Sequence, residues 1–172
     1  MIKSLMKSAV IFGWITCLLL LSCSQQTTPP VSTRTGTEPV PARPSGSSTI
    51  ENGILANINA YRRSKGLAEL KMVDAASQQA EIHSRNMATG KTGFGHDGFS
   101  QRVTNTSSVI GRVSAAAENV AFGSETAREV VDGWLKSAPH KKNIEGDYNL
   151  TGIGVYANSK GVSYFTQLFL KQ

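Results

Sequence analysis

The chain has 172 residues, 40% of them hydrophobic and 17% charged, with a formal net charge of +6. That length holds one domain with additional segments, and the composition is ordinary for a soluble fold. The basic residues are scattered, the closest clusters being Arg62–Arg63 and Lys141–Lys142. The sequence has no basic helix, no zinc-finger spacing and no run of stacking aromatics, which excludes nucleic acid as the expected partner.

The N-terminus reads as a targeting segment. Met1 to Lys7 is short and basic, and Ala9 to Leu21 is almost wholly apolar. That apolar run suits a signal h-region and is short for a membrane span, which needs about 20 residues. It ends in Leu20-Leu21-Ser22-Cys23, which resembles a bacterial lipobox, although Leu at the second position replaces the more usual small residue. Residues 1–22 are therefore expected to be a lipoprotein signal peptide, with Cys23 diacylated as the new N-terminus. The alternative is an ordinary cleaved signal, or an uncleaved anchor, with Cys23 incidental. Removing Lys3 and Lys7 with the leader leaves about +4, a mild attraction to anionic envelope polymers. Ser24 lacks the aspartate that signals inner-membrane retention. The expected location is the bacterial cell envelope, at the outer membrane if the cell is Gram-negative. Only Cys17 and Cys23 are cysteines, so the mature domain has no disulfide and is held by its core.

Residues 23–48 are rich in Ser, Thr and Pro and hold five of the six prolines. Such a segment buries too little surface to order itself and suits a tether. The folded domain is expected over 49–172. Its first helix opens with Ser48 and Glu51 at capping-box spacing. Ile54, Leu55, Ile58 and Tyr61 form its apolar stripe, and Gly66 ends it. A second helix is predicted from Asp74 to Thr89, stopped by Gly90, with Ala76, Ala80, His83 and Met87 on one face. The glycine-rich loop "TGKTGFGHDGF" follows, then a short helix near Ser100 to Thr106. "AAAENVAFG" reads as strand or irregular structure. Thr126 and Glu129 have capping-box spacing at the start of a helix reaching Leu135, with Val130, Val131 and Trp134 inward. "LTGIGVYA" and "VSYFTQLFLK" read as an antiparallel hairpin through "NSKG". Helices first and a hairpin last predict an α+β fold with helices packed on a small antiparallel sheet.

Four residues carry chemical possibilities. His83 on an apolar helix stripe is expected to be a hydrogen-bonded core residue. His96 lies between glycines in a loop anchored by Phe94 and Phe99, where functional residues concentrate, although a solvated loop histidine is the alternative. His140 follows Pro139 in the first turn of a helix capped by Ser137 or Ala138, where the helix dipole disfavours imidazolium. Glu118 sits among small and apolar residues, so it must be paired or costly.

"GFGHDGF", "AENVAFG", "VVDGWLKSAPHKKNI", "TGIGVY" and "YFTQLF" occur in the order found in the CAP superfamily, and the domain resembles its short bacterial branch. That superfamily contains cysteine-rich secretory proteins, insect venom antigens and plant pathogenesis-related proteins. The resemblance implies an α–β–α sandwich and a cleft holding His96, His140 and Glu118. A second glutamate common in eukaryotic members falls on Ser137 here. Ser137 and Asn143 are expected as cleft or capping residues. Tyr164, Thr166 and Gln167 match the family's terminal strand, with Thr166 and Gln167 on opposite faces.

Two imidazoles and a carboxylate suit Zn²⁺ or a similar divalent ion, with His96 and His140 as ligands and coordination left open. No HExxH helix, G-x-S-x-G or domain cysteine supplies a hydrolytic motif. The favoured expectation is a lipid-anchored binding module for an envelope lipid, glycan or protein. One alternative is a metal-dependent hydrolase with Glu118 as base. The other is a scaffold in which the histidines are purely structural.

Overall fold

The structure is a computed structural model that describes residues 45–123 and 126–172, with side chains from Thr49 onward. The signal segment, Cys23, most of the tether and Ser48 as a capping side chain lie outside the described residues. Helix α1 (Ser45–Ser64) begins three residues before the expected start. Ser48 therefore lies inside α1 rather than at its cap. Glu51 is buried, and its Oε1 accepts the Val155 backbone N–H at 3.3 Å, tying α1 to the sheet.

The remaining elements are β1 (Lys71–Met72), α2 (Asp74–Ala88), α3 (Phe99–Ile110), β2 (Ala115–Gly123), α4 (Ala127–Lys136), α5 (Ala138–Ile144), β3 (Leu150–Ala157) and β4 (Ser163–Lys171). The strand order is β1-β3-β4-β2. The β3–β4 hairpin is antiparallel, as expected, and so is β2 against β4. β1 runs parallel to β3, which makes the sheet mixed rather than antiparallel. Central β4 is buried on both faces from Phe165 through Leu170, as its continuous apolar run requires.

Two apolar clusters sandwich the sheet. On one face Ile54 and Ile58 of α1, Val130, Val131 and Trp134 of α4, and Ile144 of α5 pack on Ile153, Val155, Phe165 and Phe169. On the other, Ala76 of α2 packs with Leu168 and Leu170, and Phe99 and Ile110 of α3 close the edge. These are the three layers of an α–β–α sandwich. The Thr126–Glu129 capping box forms as expected at the start of α4. Trp134 is core, and its Nε1 donates to the Val120 carbonyl at 3.2 Å, fixing α4 over β2.

The α2 face lies unusually close to β3. Register places Gly152 and Gly154 beside Leu168 and Thr166, on the face toward α2. A Cβ on either glycine would overlap backbone atoms of α2: Ala76 and Ser77 for Gly152, Ala80 and Glu81 for Gly154. The helix answers with small side chains that bond to the strands. Ser84 Oγ donates to the Gly154 carbonyl at 2.9 Å and contacts Thr166 Oγ1 at 2.8 Å, and Ser77 Oγ accepts the Ile153 N–H. This close contact holds α2 rigidly beneath the site.

Candidate functional site

The site forms where β2, α5 and the loop between α2 and α3 meet. β2 contributes Glu118, whose side chain is 2% exposed. The loop brings His96, half-exposed, so that its Nδ1 lies 2.9 Å from Glu118 Oε1. A carboxylate only accepts, so His96 Nδ1 carries the hydrogen and Nε2 of the neutral ring is left as an acceptor.

Glu118 has a second partner that sequence reading missed. Arg102, buried on α3, donates from Nε to Oε2 at 2.8 Å and from Nη2 to Oε1 at 2.7 Å. Its remaining hydrogens reach the carbonyls of Asp97 at 2.7 Å and His96 at 3.4 Å. The guanidinium therefore neutralises the buried carboxylate and pins the loop that carries His96. The available signal was Glu118 itself, since a carboxylate in an apolar strand demands a cation. Which of the scattered basic residues answers is decided only when α3 folds.

His83 is the hydrogen-bonded core residue expected: it is buried, and its Nε2 lies 2.8 Å from the Gly95 carbonyl. Burial, first of all, holds its pKa below the ordinary histidine value. Loop 91–98 is thus tied from below by His83 and from the side by Arg102.

Across the site, Ser137 is the N-cap of α5, but its hydroxyl makes no capping hydrogen bond. Asn143 turns toward β2, donating to the Glu118 carbonyl at 3.1 Å and to Asn119 Oδ1 at 2.9 Å. Asn119 in turn donates to the His140 carbonyl at 3.2 Å. Asn143 is therefore a strut that fixes α5 on β2. His140 is half-buried, and its pKa lies below 6.5, mainly through burial and secondarily through the charge of His96. Sequence reading expected a neutral His140 and assigned the cause to the helix dipole. Burial and the charge of His96 act in the same direction in the fold.

Beside His140 opens a groove of about 280 Å³ bounded by Phe94, Phe122, Gly133, Trp134 and Ser137. Phe94 and Phe122 are 53% and 54% exposed, a large apolar surface to leave in water. Their rings meet edge-on at 4.9 Å, and Tyr164 stacks behind Phe122 at 5.7 Å. Among the described residues, no Asp, Glu, Lys or Arg lines the groove.

A histidine disfavoured as imidazolium contributes stability above its unfolded pKa, and that stability is lost as pH falls toward the depressed folded value. The His140 ring should accordingly titrate below 6.5 in an NMR pH series. His96→Asn should move that midpoint partway upward, because burial remains. An unmoved midpoint would show that the two rings do not sense each other.

Chemically, the arrangement offers the His140 imidazole and the Ser137 hydroxyl on an uncharged aromatic groove, with the His96 imidazole near enough for His140 to feel its charge. Both Glu118 oxygens are already engaged by Arg102 and His96. A third metal ligand is therefore not at hand, and among the described residues no group of three or more His, Cys, Asp or Glu side chains is placed to hold an ion. Glu118 is also only 2% exposed, which keeps its carboxylate from direct contact with a substrate proton.

Comparison with known proteins agrees with this architecture. YkwD of Bacillus subtilis is 33% identical over 129 residues, which is 74% of this chain and 49% of that protein, so the chain spans about half of its relative's length. An outer surface protein of Borrelia burgdorferi superposes with a TM-score of 0.61 at 21% identity, covering 69% of this chain and 90% of that one. An extracellular SCP-domain protein of Bacillus anthracis gives 0.58 at 26% identity, covering 77% and 45%. The model of the CAP domain, the cysteine-rich secretory protein family, matches residues 55–169, and the chain belongs to that family.

Proposed function

We propose that this protein is a binding module of the bacterial envelope, anchored by a lipid on Cys23 and holding its ligand in the groove beside His140. One observation carries the reading. The buried carboxylate of the site is fixed by Arg102, while the adjoining groove is open, uncharged and faced by two exposed phenylalanines. This favours recognition over proton transfer, because a general base must reach the proton it abstracts, and the Glu118 side chain is only 2% exposed behind Arg102 and His96. Relatives named as outer surface and extracellular proteins support the location.

A divalent ion would find only the imidazoles of His96 and His140, the rest of its coordination coming from water or ligand. Such a site is weak and exchangeable. Titration of Zn²⁺ into isotope-labelled protein tests it. The His96 and His140 ring resonances are expected to shift together, and His140→Ala should abolish both the response and the affinity. Rings that stay unmoved under excess Zn²⁺ would remove the metal from the proposal. The binding reading is tested separately by Phe94→Ala and Phe122→Ala. Both side chains are half-exposed, so the fold should persist while retention on the isolated cell-envelope fraction, measured in protein carrying Cys23→Ser to remove the lipid anchor, falls about tenfold. Unchanged retention of both variants would overturn it.

A further inference from the structure

A second groove lies on the opposite side of loop 91–98, between α2 and α3, with a volume of about 300 Å³. Its walls differ in kind from those beside His140. Gln79 and Asn86 of α2 face Gln101 and Asn105 of α3. Three of these side chains form a directed relay across the two helices. Gln101 Nε2 donates to Asn105 Oδ1 at 2.8 Å, and Asn105 Nδ2 donates to Gln79 Oε1 at 2.9 Å. The relay fixes amide orientations before any ligand arrives. It leaves the Gln101 oxygen and the Gln79 amide group open.

Other groups in the groove have no side-chain partner among the described residues. The Asn86 carboxamide is half-buried without a hydrogen bond, and the Asp97 carboxylate forms no ion pair. Thr92 Oγ1 is closed off from solvent and unpartnered. A shielded hydroxyl without a partner is uncommon in a settled fold, and being sealed it takes no part in contacts within the groove, which fall to the accessible Asn86, Asp97, Gln79 and Gln101. The positive charge at the base of the groove belongs to Arg102, already neutralised by Glu118. An anion therefore finds no free cation among the lining residues, and Asp97 repels it. Ile82, 45% exposed on α2, adds one apolar surface at the rim.

The geometry points to a neutral saccharide ring as the ligand of this groove. Sugar hydroxyls donate and accept at once, which is what carboxamides do, and a carboxylate accepts from a pair of neighbouring hydroxyls. The C–H face of a pyranose is apolar and suits Ile82. The volume is at the small end for ligand sites and matches a ring or two rather than a lipid tail. This site is independent of the His140 groove, although loop 91–98 contributes Asp97 to one and Phe94 to the other.

The test is an NMR titration of the purified protein with triacetylchitotriose and, separately, maltotriose. At least one is expected to shift the side-chain amide resonances of Gln79, Asn86, Gln101 and Asn105, with a dissociation constant in the millimolar range or tighter. Asn86→Ala and Gln101→Ala, at exposed or half-exposed positions, should each weaken binding about tenfold, the loss of one good hydrogen bond. His140→Ala should leave it unchanged, which separates this site from the first groove. Absence of shifts with both sugars would overturn the inference. So would equal affinity in Asn86→Ala and wild type, or tighter binding of glucuronate than of either neutral sugar.

Discussion

Gly154→Ala is expected to destabilise the domain by about 3 kcal/mol or more, at the top of the range for overpacking. The added methyl would overlap the backbone of Ala80 and Glu81 rather than the end of a flexible side chain. Neither α2 nor β3 can yield alone. α2 is bonded to the strands through Ser77 and Ser84, and β3 is laddered between β1 and β4. Gly152→Ala meets the same barrier at Ala76 and Ser77. Gly133→Ala is the matched control. It lies inside α4, where a new Cβ meets nothing within 4 Å, so the change should stabilise the apo protein by up to about 1 kcal/mol through helix propensity. Urea midpoints of the three variants decide the matter. A Gly154→Ala midpoint near wild type would mean that α2 can rise off the sheet. That would also loosen His83 and its hold on the Gly95 carbonyl.

The same contact shows where sequence reading stops. Amphipathic spacing and the capping box at Thr126 located α4, and the apolar stripe located α2, because those signals lie within one segment. "TGIGVY" read as a strand on its residue types, but the reason for its glycines lies in the helix laid across them. The two-residue β1 was invisible for a related reason. Lys71 and Met72 have no pattern of their own and pair because Lys71 N–H finds the Asn149 carbonyl and Val73 N–H the Thr151 carbonyl. Glu51 offered a local capping partner in sequence, and the fold used it 104 residues away. At the site, His96, Glu118 and His140 were legible through glycines, an apolar neighbourhood and Pro139. Arg102 was not, since a helix arginine ordinarily faces water, and nothing local distinguishes one that turns inward.

Arg102→Met should therefore be the most informative change at the site, costing about 3–5 kcal/mol by leaving a buried carboxylate without its cation. Glu118 is 2% exposed, and Arg102 supplies two of its three side-chain hydrogen bonds. Arg102→Lys should recover only part of the loss, because an ammonium cannot reproduce the fork that grips both oxygens. Pairing Arg102→Met with Glu118→Met removes the orphaned charge and should restore most of the stability. Urea melts of wild type, the two single Met variants and the double variant give the coupling energy directly. Hydrogen exchange supplies a second readout. The double variant should be folded yet show faster exchange across residues 91–98, because the Asp97 and His96 carbonyls have lost their donor. If Arg102→Met instead cost less than about 1 kcal/mol, the buried carboxylate would not depend on its cation. The ion pair would then carry no weight against hydrolysis, and the case for recognition would rest on the uncharged groove beside His140 alone.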